Sequence, residues 1–388
     1  MVQIAGASAQ LAVVPVQTRR HWRDFHLLPS QIYANDPNWV QPLRLERKLH
    51  FSQKHNPFFE HAKTSFWLAY RNGEPVGRIS AQIDSLHLAR FADKTGHFGF
   101  IEGIDDASVF RALLNQAESW LRSNGLARIL GPVSFSMWDQ PGLLVEGFDT
   151  PPSVMMGHAL SYFRRHIETA GYTPIQDLIA YHYPADTPLP ERAGRIIARA
   201  KRQGDITLRN IRKDRKHFDT EIALILDIVN DAWAENWGFV SMTQAEAEHL
   251  GALFRFLLHP NDVAIAEHKG RAAAFALLIP NLNEAIADLR GRLAPLGWAK
   301  LLWRLMFAGT RTVRLPLMGV RKALQNSPVG AALALSVIDA TRAFQVARGF
   351  KHGELSWVLD QNVRMKHILQ MLGARAYKRY RIYEKPLH

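Results

Sequence analysis

From Met318 to Ile338 the sequence reads MGVRKALQNSPVGAALALSVI, and its residue types describe a place where an anion could rest. An apolar run ends, a short polar loop follows, and a helix of small residues begins. At such a junction the first helical amides lack intrahelical acceptors and the helix dipole favours negative charge. Ser327 is placed to cap the helix, and Pro328 to occupy its first turn, where a missing N–H costs nothing. Gly330, Ala331 and Ala332 leave the backbone approachable. The same residues also spell a plain capped helix start, so taken alone the loop leaves phosphate cradle and tight turn both open.

Other chemistries find no support. Without a cysteine the chain has no disulfide, no thiolate ligand and no thiol nucleophile, so an acyl transfer cannot pass through an enzyme thioester. There is no Walker loop, no His-Glu-x-x-His helix, no Gly-x-Ser-x-Gly elbow and no glutamate-rich pyrophosphohydrolase box. The 17 histidines are scattered without metal-ligand spacing, and no metal is expected. A formal charge of +13 makes polyanions natural partners: a phosphorylated cofactor, an anionic lipid surface or nucleic acid. The N-terminal MVQIAGASAQLAVVPVQTRR has no basic residue before its apolar part, so it reads as a leader and first strand of a cytoplasmic protein.

The elements that must position this loop come in two similar sets. In the first half SFWLAYRNGEPVGRISAQID is a hairpin turning at Asn72-Gly73, GHFGFIEGI a strand, ASVFRALLNQAESWLRSNG a helix, and LARILGPVSFS a strand. The second half repeats that order: DVAIAEHKG with RAAAFALLIP, then TVRLPLMGV, then the helix GAALALSVIDATRAFQVARG, then ELSWVL. The chain of 388 residues is therefore read as a tandem duplication, 1–184 and 185–388, dividing near Pro184 to Pro190. Arg192 to Lys216 is a basic helix and strand, a solvated face or, in a non-catalytic reading, a nucleic-acid surface. No run reaches the ~18 apolar residues of a membrane span. The nearest, Leu293 to Gly309, carries Trp298 and Trp303 between flanking arginines and suits either a buried helix or one lying on a bilayer.

With its preceding strand, the opening loop resembles motif A of the GNAT superfamily of acyl-CoA-dependent acyltransferases, Arg/Gln-x-x-Gly-x-Gly/Ala, here Gln325-Asn326-Ser327-Pro328-Val329-Gly330. Pro328 replaces the middle glycine and removes one amide. The resemblance implies an α/β (α+β) fold of two GNAT-like repeats, each a mixed, mostly antiparallel sheet flanked by helices. It also implies that the amides of Gln325, Asn326, Ser327, Val329 and Gly330, with Ala331 beside them, receive the CoA pyrophosphate. Leu317, Met318, Gly319 and Val320 would hold the pantetheine arm and thioester on a splayed strand that Pro316 interrupts. The first half matches the order but sets Glu102, Asp105 and Asp106 where phosphate would sit, so one CoA site is expected, in the C-terminal half. The segments YANDPNWVQPL, GPVSFSMWDQPGLLVEGFDTPPSVMM, DAWAENWGFVSMT, ELSWVLDQN and YRIYEK further resemble the bacterial ceramide synthase group, which N-acylates a sphingoid base.

Acylating an amine with a thioester requires a neutral amine, a polarised carbonyl and a proton for the departing thiolate. Members of the superfamily meet these with a carboxylate or water relay, a backbone amide of the splayed strand and a tyrosine. Glu354 is the preferred base, Asp360 the competitor, and His352 a possible relay. Asn362 matches a motif B contact to CoA and equally a helix cap. Strand alternation sets Tyr380 on the face opposite Tyr377 and Tyr383, and Tyr380 is assigned as the acid. Trp233, Asn236, Trp237 and Phe239 could wall an acceptor site for a long-chain amine, with Trp138 covering it. The expected partners are a long-chain acyl-CoA, a sphingoid-type amine and the inner-membrane surface through 293–309. A soluble or aminoacyl-bearing amine, or a non-catalytic nucleic-acid-binding protein, are the alternatives.

Overall fold

The computed structural model describes residues 10–184, 187–202, 206–214 and 216–388, which form two units. One comprises the described chain up to Gln53 with Phe58–Asp177 and Tyr380–His388; the other is Lys54–Pro57 with Leu178–Arg379. A boundary sought in prolines misses this division, because it falls inside a continuous strand that shows no break in composition.

The first unit begins with β1 (Leu11–Pro15), α1 (Arg19–Ile32) and α2 (Arg44–His50); the leader before β1 lies outside the described residues. Strands β2 (Ala62–Arg71) and β3 (Glu74–Asp84) form the expected hairpin, with Asn72 and Gly73 at φ of 52° and 83°. A two-residue turn needs that left-handed pair to match the strand twist. After α3 (Ser85–Phe91), β4 (Thr95–Gly103) pairs with β3. Helix α4 (Ala107–Ser123) follows, capped by Asp106, and buries Val109, Phe110, Leu113, Leu114, Ala117 and Leu121 at helical spacing. Each large apolar side chain so buried contributes about 1.5–3 kcal/mol. The chain leaves the helix through Gly125 (φ 81°) into β5 (Arg128–Gly131), parallel to β4. Then come β6 (Val133–Ser134), β7 (Gln140–Pro141), β8 (Leu143–Glu146) and α5 (Tyr162–Thr169).

Strand β9 (Thr173–Pro184) leads into the second unit, followed by α6 (Glu191–Arg202), β10 (Ile206–Asn210), α7 (Phe218–Trp233) and α8 (Gln244–Leu257). The hairpin β11 (Val263–His268) and β12 (Arg271–Pro280) precedes α9 (Leu282–Ile286), α10 (Gly297–Trp303), β13 (Thr312–Val320) and α11 (Pro328–Ala347). Strand β14 (His352–Leu359), α12 (Val363–Met371) and β15 (Arg375–Pro386) complete the chain, and Tyr383–Pro386 pairs with β5 in the first unit. In the second unit the sheet runs β9, β14, β13, β12, β11, β10, with only the β13–β14 pair parallel. Its core packs Leu333, Leu335, Val337 and Ile338 of α11 against Ala274, Ala276, Met318, Leu355 and Tyr181 of the strands. Among the described residues α11 is long and apolar enough to cross a bilayer; 56% of its apolar window is buried in the structure.

Leu293 to Gly309 is not a core helix. Trp298 is 58% exposed and Met306 63%, and Leu296, Leu302 and Trp303 also face outward. Its cations Lys300 and Arg304 are tied to Asp288, the latter at 2.5 Å.

Candidate active site

Strands β13 and β14 are paired only between Thr312–Leu315 and His352–Leu355. Beyond that point β13 stays with β12, its register breaking between Leu277 and Ile279 opposite Pro316, where the ladder loses a donor. On the other side β14 stays with β9, with a register slip between Leu355 and Val358. Leu317, Met318, Gly319 and Val320 therefore have no partner on β14, as the sequence predicts for a splayed strand. Helix α7 closes on one face of this segment. A Cβ on Gly319 would lie 3.2 Å from that of Ala232 and 3.5 Å from a methyl of Ile228, so glycine permits the approach. Trp233 ends α7 and donates its indole N–H to the Met318 carbonyl at 3.0 Å.

The loop after β13 is a tight turn as well as a helix entrance. Its amides do not all face outward as the motif suggests. Gln325 donates its N–H to Lys322 O at 3.2 Å, Ser327 to Leu324 O at 3.1 Å, and Ala331 to Ser327 O at 3.2 Å. Gly330 donates to the capping Ser327 Oγ at 3.1 Å. The physical reason is the short turn at Lys322–Leu324, which folds the loop back onto the first turn of α11. A Cβ at Gly330 would run into the Leu324 carbonyl, so glycine here answers a steric demand of the turn. Asn326, exposed, and Val329 retain amides without an acceptor inside the loop. The Gln325 side chain donates to Ala232 O and Val320 O, both at 2.9 Å, and Asp231 accepts the Lys322 amide at 2.7 Å, fixing the loop to α7.

Where the strands part, one face of the sheet carries a buried polar cluster. Glu354 is 5% exposed. Its oxygens accept from the Ser356 and Tyr377 hydroxyls, and the buried Arg314 guanidinium lies 3.7 Å away while donating to Ser356 Oγ at 2.8 Å. His182 of β9 is the direct cross-strand neighbour of Glu354. Its ring lies 4.9 Å from that of exposed His352 and 5.9 Å from that of Tyr377. Burial, His352 and Arg375 pull the His182 imidazole below its ordinary range, against the pull of Glu354. Alternation along His352, Glu354 and Ser356 was legible in the sequence; Arg314 and His182 come from distant segments and were missed.

The other assigned residues are spread more widely. Asp360 is exposed beyond β14 and pairs with Lys366 at 3.0 Å. Asn362 caps α12 by accepting from Met365 N at 3.1 Å. Tyr380 is fully buried in the first unit against Gly142, so Tyr377 is the tyrosine that reaches Glu354. Trp233 lies 6.1 Å from Trp357 and 6.3 Å from buried Phe239, ring to ring. Asn236 turns the chain after α7, its amide donating to Trp233 O at 2.8 Å and its carbonyl accepting from Phe239 N at 3.2 Å, and Trp237 is half-buried. Trp138 lies in the first unit, in a turn where Ser136 Oγ accepts its amide at 3.2 Å. In the basic segment Arg209 pairs with Glu221 and Glu267, and Arg212 with Glu221.

The first unit has the same splay and fills it with its own chain. Strands β4 and β5 pair only through Thr95–His97 and Arg128–Leu130. Past that point Val133 and Ser134 press onto Gly99, where a Cβ would come within 2.8 Å of Ser134 Cα. Ser134 Oγ accepts the Phe100 amide at 3.1 Å, Gln82 donates to the Val133 carbonyl, and the buried Phe135 ring stacks edge-on to Phe100 at 4.8 Å. At the start of α4, Asp106 occupies the first-turn amide of Ser108 at 2.7 Å and pairs with Arg71.

In each unit two parallel strands part beside a helix N-terminus, the pattern of a tandem GNAT fold, and solved structures of that class match the whole chain. A tandem GNAT protein from the clavulanic acid biosynthesis pathway aligns with a TM-score of 0.55 at 11% identity, over 98% of this chain and 99% of that one. A GCN5-related N-acetyltransferase from Sphaerobacter thermophilus aligns at 0.51 and 12%, over 97% and 96%. No family model matches the chain. Its sequence is 43% identical to the bacterial ceramide synthase of Caulobacter vibrioides (strain NA1000 / CB15N), over 98% of both chains. It is also 43% identical to protein YghO of Escherichia coli (strain K12), over 94% of this chain and 92% of that protein. The chain belongs to the bacterial ceramide synthase family of GNAT acyltransferases. It is an N-acyltransferase.

Proposed function

We propose that this acyltransferase moves a long-chain acyl group from acyl-CoA directly to the amine of a sphingoid base, in a ternary complex in the second unit. The observation that carries this reading is the open split of β13 from β14 beside the buried Glu354 cluster, set against the filled split of the first unit. The amides of Asn326 and Val329 at the start of α11 would receive the pyrophosphate, and acyl-CoA supplies the activated carbonyl. The backbone of Leu317–Val320 on the side that β14 leaves, its other side being paired with β12, would hold the pantetheine and polarise that carbonyl. Glu354 takes a proton from the amine, and Tyr377, whose hydroxyl rests on Glu354, gives one to the CoA sulfur. What supports Tyr377 over Tyr380 is this contact; what supports Glu354 over Asp360 is its burial among donors.

Trp233, Trp357 and Phe239 suit an apolar acceptor near the reacting centre. The outward Leu296, Trp298, Leu302, Trp303 and Met306 suit the surface of an anionic membrane, with Arg290, Arg292 and Arg311 around them, and such a location would supply a lipid substrate. The test is release of free CoA from mixed acyl-CoAs with a panel of amines. Release with single-chain amino lipids is expected, and release with small polar amines alone would overturn the substrate class.

A further inference from the structure

We propose that His182 and His352 form the route by which a proton leaves buried Glu354 for solvent, His182 acting as a positioning residue behind that base. The inference rests on the role given to Glu354 above. An ammonium and a thioester become an amide and a thiol with one proton left over: the nitrogen loses two hydrogens, and the sulfur takes one. That remaining proton must reach bulk water from a carboxyl that is itself closed off.

The only imidazole directly across the ladder from Glu354 among the described residues is His182, on the same face of the sheet. Facing it are Glu354 and His352 from β14 and Tyr377 and Arg375 from β15, with Arg314 beyond Glu354. Its strand neighbours Tyr181 and Tyr183 belong to the core on the opposite face. His352 is exposed, and its ring stands 4.9 Å from that of His182, so the pair bridges the buried cluster and the solvent. The sequence is Glu354 carboxyl to His182 nitrogen, His182 to His352, and His352 to water, each step moving one proton and restoring the donor. A relay must be neutral before it accepts, and burial, with the Arg375 charge nearby, pulls the His182 imidazole toward that form.

The experiment is the pH profile of CoA release at saturating substrates for the wild type, His182→Phe, His182→Gln, His352→Gln and Glu354→Gln. The expected result for both His182 variants is a kcat lowered about tenfold at pH 7 with KM for acyl-CoA within about twofold. The acid limb disappears, and added imidazole restores turnover; thermal melts confirm folding. His352→Gln shows a smaller loss of the same kind. Two His182 variants that fold and keep wild-type kcat and pH profile overturn the relay while a crippled Glu354→Gln preserves the base. Wild-type turnover in Glu354→Gln overturns the base assignment and the relay with it.

Discussion

Replacing Glu354 with glutamine perturbs two things that the structure allows to be separated. The amide keeps the shape and one acceptor oxygen for the Ser356 or Tyr377 hydroxyl, its NH2 meeting the other, but it cannot take a proton, so kcat should fall by about 10²- to 10⁴-fold. The same change leaves the Arg314 guanidinium buried without its counter-charge. Breaking such a pair costs roughly 3–5 kcal/mol, and the lower end applies because Arg314 keeps its bonds to Ser356. About 3 kcal/mol in a unit of this size lowers the melting temperature by roughly 6–12 °C. Replacing both partners, Arg314→Met with Glu354→Gln, removes the stranded charge and should recover most of that stability without recovering turnover. Calorimetry and CoA release on the three proteins check both halves. A Glu354→Gln protein with turnover within about fivefold of wild type, or a double variant that regains activity along with stability, would refute the reasoning.

Gly330→Ala drives a methyl into the Leu324 carbonyl and should cost about 1–3 kcal/mol by thermal melt and raise KM for acyl-CoA. Ser327→Ala removes the cap of α11 and should cost about 1 kcal/mol, read as a small shift in denaturation midpoint. Burial and nearby His87 push His97 from 6.5 down to about 3. The unfolded chain therefore binds the extra proton between those values, and this residue's share of stability is present above pH 6.5 and lost as the pH falls toward 3. His97→Gln should flatten the difference in acid unfolding curves over that window. Flotation with anionic liposomes should carry the wild type, and Trp298→Glu with Met306→Glu should leave it in the load; equal flotation would exclude this face.

Much of the fold was legible because local rules and tertiary packing agree. Asn72-Gly73 dictates its turn, Pro316 breaks a ladder, and α4 and α11 declare themselves by spacing and caps. The site was legible where it follows a strand: Glu354 and His352 lie on one face whatever pairs with them. Its remaining parts depend on register. Alternation separates Tyr377 from Tyr380 but does not say which face meets Glu354, and nothing local brings His182 or Arg314 to it. The loop misled for a similar reason, since amides read as a cradle are partly engaged once Lys322–Leu324 turns. The filled split of the first unit was also hidden: GPVSFS reads as a strand, and only the close approach at Gly99 reveals that Ser134 occupies the amide of Phe100.

The most direct measurement is mass spectrometry of the products formed from a long-chain acyl-CoA and a sphingoid base by the wild type and by Glu354→Gln. An N-acylated sphingoid base appearing in step with free CoA, and lost in the variant, is the predicted result. Acyl groups recovered only as free fatty acid or only on small polar amines, or an amide product undiminished in the variant, would contradict it.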